Sequence, residues 1–217
     1  MAPILTPDVR ISGGNPPCRF ILHVSLYPRF FANGTLDLGV VPGYAKYTVQ
    51  QGVDTIILGG STGEWPSMTS NERLACLHAW RAALDALPAA VGSKPKILFH
   101  AGDVAVERAV ALAKAASGVA DEILIVSPCI MKPGTPDMLL EVLGLVSAAA
   151  PTTPAWYYHC ERRVPSPLSA AGFSNLHSVL RILSKGGLAT CAVPRPGTGT
   201  VSACGTLRHP PPRSAHG

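Results

Sequence analysis

Residues 59–65 read GGSTGEW and follow directly on the apolar run TIIL. The three glycines let the backbone turn sharply and come close to a ligand, and Ser61 and Thr62 gather hydroxyl and amide donors at one point. Donors grouped in this way suit a small anion, a carboxylate above all. The same residues would also serve a strand-to-helix turn whose hydroxyls satisfy local backbone groups. Glu64 is read as pinning the turn by bonding to nearby backbone. Three further groups with chemistry to offer, His100-Ala101-Gly102, Ser127-Pro128 and Tyr158-His159, each close an apolar run of their own. The six cysteines show no C-x-x-C pair and no metal-ligand spacing with histidine, so reduced thiols and no metal site are expected.

The elements that must position these groups alternate regularly. Strands are predicted at 20–26 (FILHVSL), 55–58 (TIIL), 96–100 (KILFH), 122–126 (EILIV) and 154–159 (PAWYYH). Helical segments separate them. The first spans about 39–51; the second starts at a Thr69-x-x-Glu72 capping box, and the third has Asp103 placed as its N-cap. The fourth runs from Pro136 to about 149, with proline suited to the first turn. Five strands joined by helices imply parallel βα units. A doubly wound sheet would often carry a G-x-G-x-x-G turn after its first strand, and none is present. A (β/α)8 barrel gathers ligand groups at the C-terminal ends of several strands, as found here, and is preferred. On the face-alternation rule, His100 is expected to be a satisfied barrel residue, and Trp156 or Tyr157 to face the helices as core.

With 47% hydrophobic and 14% charged residues but no apolar run of about 20, the chain is expected to have a sizeable core and no membrane span. The start of the chain shows no basic segment followed by an apolar one, so no secretory signal is expected and a cytoplasmic location follows. The net charge of +5 is unevenly spread: residues 1–161 hold 11 basic against 13 acidic residues, net −2, and the remainder holds seven basic residues and no acid, net +7. The basic part lacks interleaved aromatics and any recognition motif, so nucleic-acid binding is not expected. The organisation read from this is an N-terminal extension at 1–19, a partial barrel at 20–159 and a basic, proline-rich, poorly ordered tail at 160–217.

The segments GGSTGEWPSMTSNER (59–73), HAGD, SPCIMKP and AAAPTTPAWYYH (148–159) together resemble N-acetylneuraminate lyase, of the pyruvate-dependent aldolase superfamily that includes dihydrodipicolinate synthase. The resemblance runs from about Ser25 to His159, and Tyr-Tyr-His on the fifth strand tilts it toward the animal-type lyase. It implies reversible aldol cleavage of N-acetylneuraminate (sialic acid) to N-acetylmannosamine and pyruvate, through a Schiff base on a sixth-strand lysine. It implies that Ser61 and Thr62 hold the pyruvate carboxylate, that Tyr158 relays protons, and that His159 either lines the sugar end of the pocket or merely ends a strand. A homotetramer without cofactor is implied as well.

After His159 the pattern departs from the family. The lyases continue to a Gly-x-Lys strand, whereas this chain continues CERRVPSPLSAAGF, and its only later lysine is Lys185 in ILSKGG. Lys185 is therefore the Schiff-base candidate, set against the reading of a solvated lysine at a turn. The expected fold is an incomplete barrel of about five βα units with a divergent tail, whose SNLHSVLRIL (174–183) forms an amphipathic turn or two against the open edge. The alternatives are a dihydrodipicolinate synthase-like aldolase and a catalytically dead truncated chain.

Overall fold

The computed structural model describes residues 23–128, 130, 133–159, 178–182, 188–190 and 206–207. Strands β1 (His23–Ser25), β2 (Thr55–Leu58), β3 (Lys96–His100), β4 (Glu122–Val126) and β5 (Ala155–His159) are joined through helices α1 (Val41–Gln50), α2 (Ser70–Ala86), α3 (Val106–Ala116) and α4 (Pro136–Ala148). Each strand pairs in parallel with the next, as helical crossovers require. Of FILHVSL, His23–Ser25 form the strand and Leu26 lies beyond it, while residues 20–22 fall outside the described residues.

The helix starts follow from local chemistry. At α2 the Thr69 hydroxyl accepts from the Glu72 amide while the Glu72 carboxylate accepts from the Thr69 amide at 2.8 Å, the reciprocal capping box. At α4 the Thr135 hydroxyl caps and Pro136 opens the first turn. At α3 the expectation fails. Its N-cap is Ala105; the Asp103 carboxylate, paired with Arg73 and Arg108, accepts from the Ala105 amide at 3.3 Å, ahead of the first helical turn.

One face of the sheet packs on the helices. Ile56, Leu58, Ile97, Phe99, Ile123, Ile125 and Tyr157 meet Leu77, Trp80, Leu84, Leu112 and Leu143 in one apolar core. Tyr157 is thus the fifth-strand residue that turns to the helices, with 1% of its surface exposed. A fully buried Leu or Ile contributes roughly 1.5–3 kcal/mol, so this contact area holds the layers together. The residues that alternate with this set, Ile57, Leu98, His100, Leu124, Trp156 and Tyr158, occupy the other face.

Beyond β5 the sheet continues, but its direction changes. Strand β6 (Ser178–Ile182) runs antiparallel to β5, with Tyr158 opposite Val179 and His159 opposite Ser178. Strands β7 (Leu188–Thr190) and β8 (Thr206–Leu207) extend it antiparallel, giving an eight-stranded sheet in chain order. The amphipathic turn expected within 174–183 is therefore corrected for residues 178–182, which form a strand. The reason is tertiary: the β5 edge offers a row of unpaired amides and carbonyls, and SVLRI is apolar and β-branched enough to take them.

Candidate active site

The GGSTGEW turn leaves the C-terminal end of β2 and leads into the single-turn helix Trp65–Ser67. Gly59 has φ +77°, a left-handed conformation that favours glycine. At Gly63 a Cβ would lie 2.8 Å from the Gly59 amide nitrogen and 3.0 Å from its Cα, so the loop closes on itself only because no side chain is there. The Glu64 amide donates to the Ser61 carbonyl at 3.2 Å and the Trp65 amide to the Gly60 carbonyl at 3.4 Å. These closing bonds run through backbone, and neither the Ser61 nor the Thr62 hydroxyl takes part in them. Ser61 is exposed and Thr62 half-buried. Glu64 sits at φ 52° with its side chain exposed and making no capping bond, so its backbone and not its carboxylate pins the turn. That corrects the role read for its side chain.

Beneath the turn lies a charge that sequence reasoning passed over. Arg73, on the first turns of α2, has 2% of its surface exposed. Its Nη2 donates to the His100 carbonyl and, at 3.0 Å, to the Gly102 carbonyl; its Nη1 meets Asp103 Oδ2 at 3.3 Å. The guanidinium carbon stands 5.5 Å from the Trp65 ring centre and 5.9 Å from that of Phe99, within cation–π range. Asp103 is shared: Arg108 donates to its other oxygen from Nε at 2.8 Å. The only hint in the sequence was Arg73 itself, directly after the Thr69-x-x-Glu72 box.

Burial dictates the protonation states here. It pushes the His100 imidazole down to about 3, helped by the neighbouring Arg73 charge, so the ring is neutral at physiological pH. Its Nδ1 lies 3.3 Å from Arg73 Nη2, and its Nε2 is buried without a partner among the described residues. His100 is therefore buried as expected but not fully satisfied. Burial also lowers Arg73 to about 10, opposed by Asp103, which leaves it a cation at neutral pH. For Asp103, burial works upward, but the hydrogen bond and charge of Arg108 with nearby backbone amides hold its carboxyl below the usual range. An apolar cleft behind the turn, lined by Leu26, Tyr27, Met68, Cys76 and Trp80, contains neither Ser61 nor Thr62. Burial raises its Cys76 thiol to about 11, which keeps the thiol protonated at neutral pH.

Tyr158 is half-buried at the C-terminal end of β5, level with Val126 of β4. Ser61, Thr62 and Tyr158 thus stand at the same end of the parallel strands, with β3 and β4 between them. Trp156 on the same strand keeps a buried indole N–H without a partner among the described residues. Lys185 lies outside the described residues. The flanking residues Ile182 and Leu188 pair with each other, following Arg181, which is opposite Trp156. Among the described residues no group of three or more His, Cys, Asp or Glu is arranged to hold a metal.

The model of the dihydrodipicolinate synthetase family matches residues 22–184. The chain belongs to that family. The match takes in β6, past the His159 at which the motif-level resemblance stops, and ends one residue before Lys185. Among its relatives, human (Homo sapiens) N-acetylneuraminate lyase is 33% identical over 129 residues, covering 58% of this chain and 38% of that protein. The 4-hydroxy-tetrahydrodipicolinate synthase of Synechococcus sp. (strain CC9605) is 33% identical over 157 residues, covering 71% of this chain and 49% of that protein. The chain thus spans less than half the length of either. Among solved structures, Proteus mirabilis N-acetylneuraminate lyase superposes with a TM-score of 0.61 at 24% identity, over 70% of this chain and 52% of that one. Dihydrodipicolinate synthase from Aquifex aeolicus superposes at 0.57 with 26% identity, over 66% of this chain and 46% of that one. This family member therefore has the (β/α)8-barrel type of fold in incomplete form, five parallel strands with a divergent continuation, and its family resemblance is to lyases of the aldolase kind.

Proposed function

We propose that the chain is an N-acetylneuraminate lyase-like aldolase, cleaving N-acetylneuraminate reversibly to N-acetylmannosamine and pyruvate. The observation that carries this reading is the GGSTGEW turn: a backbone-closed loop at the end of a parallel strand whose two hydroxyls are not spent on closing it. Ser61 and Thr62 would hold the pyruvate carboxylate by hydroxyl and amide donors. A lysine amine would then attack the keto carbon and expel water, leaving an imine that accepts the electron pair of the breaking carbon–carbon bond. Tyr158 would take the proton from the sugar hydroxyl that becomes the aldehyde and return a proton to the pyruvate-derived carbon; water then adds to the imine, the C–N bond breaks, and pyruvate and the free lysine are released. Lys185 is the candidate nucleophile. On this reading no metal or organic cofactor is needed, and the chain works in the cytoplasm as a homotetramer.

The test is turnover: purified chain with N-acetylneuraminate is expected to release pyruvate and N-acetylmannosamine in equal amounts. Consumption of aspartate semialdehyde with pyruvate instead would move the assignment to the synthase branch. A second reading is favoured by the antiparallel β6, which differs from the parallel strand that would carry a sixth-strand lysine. In it the chain binds the pyruvate carboxylate but forms no Schiff base by itself.

A further inference from the structure

We infer that Arg73 is the positioning residue of the carboxylate site: its fork locks the GGSTGEW turn onto the end of β3, and pyruvate affinity at Ser61 and Thr62 depends on that lock. The inference rests on the reading of the turn as a carboxylate site. Arg73 touches both partners of the lock. On one side its guanidinium lies against Trp65, and a Cβ on Gly59 would be 3.9 Å from its Nε. On the other it holds the His100 and Gly102 carbonyls and the Asp103 carboxylate.

A buried cation costs desolvation, and removing one partner of a buried ion pair is costly where it strands the other charge, but Asp103 keeps Arg108 when Arg73 is replaced. What an apolar replacement cannot do is direct donors at the His100 and Gly102 carbonyls and a carboxylate while staying in cation–π range of an indole. The geometry that Arg73 imposes is therefore aimed at the loops and not at the core. Lysine keeps the charge and lacks the planar fork, so it separates the two contributions.

The experiment is an NMR titration of the full chain with pyruvate, following the Ser61 and Thr62 amides, in the unaltered protein, Arg73→Lys and Arg73→Met. Both variants are expected to keep a cooperative melt yet bind pyruvate about tenfold or more weakly, the scale of losing hydrogen bonds to a charged group. A folded variant that binds pyruvate like the unaltered chain overturns the inference, and rescue by lysine would assign the effect to charge alone and overturn it too. Hydrogen exchange in the unaltered chain gives a reading free of substitutions. Pyruvate is expected to slow exchange in 59–65 and in 100–103 together, and protection of the first segment alone contradicts the lock. If the Ser61 and Thr62 amides of the unaltered chain ignore pyruvate, the carboxylate reading itself fails and takes this inference with it.

Discussion

His100 illustrates how burial sets chemistry at a single residue. Its imidazole is held neutral by desolvation and by Arg73, with a folded value of about 3 against 6.5 for the free group. The unfolded chain therefore binds more protons than the folded one as pH falls, so stability is lost progressively from about 6.5 down to about 3 and levels off below that. Asp103 acts in the same direction at the acid end, since a carboxyl held low stabilises the fold above its ordinary value and ceases to below it. His100→Asn is expected to flatten the fall in melting temperature between pH 6.5 and 4, and thermal melts across that range check it; an unchanged slope would place the acid sensitivity elsewhere. At Tyr158, replacement by Phe is expected to lower turnover by about 10²-fold or more while leaving pyruvate binding intact, as loss of a proton relay should. The turn holding Ser61 and Thr62 was legible because glycines and hydroxyls directly after an apolar run mark a tight strand-to-helix connection, whichever ligand it takes. Arg73 was not, because a lone arginine on a helix reads as a solvated charge until the fold carries it under the loop.

Among the elements, the parallel βα units were legible because the apolar runs are short and two of the helices open on a recognisable start, the Thr69–Glu72 box and Pro136. The Thr69–Glu72 box is the clearest case, and Thr69→Ala is expected to destabilise the fold by about 1 kcal/mol in denaturant melts. Gly63 tests the turn itself. An added methyl would stand 2.8 Å from the Gly59 nitrogen, so Gly63→Ala must open the loop, and pyruvate binding is expected to disappear while the helices survive in circular dichroism. The misplaced cap at Asp103 has a positional origin: three residues before α3, its carboxylate accepts from the Ala105 amide ahead of the helix and pairs with two guanidinium groups. The direction of β6 was equally hidden, since strand propensity says nothing about which neighbour a strand will meet.

For the molecule as a whole, the family is established and the barrel is incomplete, with an antiparallel ribbon where a parallel sixth strand would continue the pattern. The ribbon covers the β5 edge, which would otherwise offer a template for pairing with other chains. Removing residues 160–217 is accordingly expected to convert a sizeable fraction of the chain to aggregate, measurable by sizing chromatography and light scattering. The central claim is pyruvate chemistry at the C-terminal end of the strands, and borohydride trapping reaches it most directly. The purified chain is incubated with pyruvate, reduced, and digested for mass spectrometry, with a Ser61→Ala, Thr62→Val double variant in parallel. A stable pyruvate adduct is expected on one lysine, with Lys185 the first to inspect, and far less of it in the double variant. A folded chain that binds pyruvate and yields no adduct would contradict the Schiff-base mechanism and leave a carboxylate-binding member of an aldolase family.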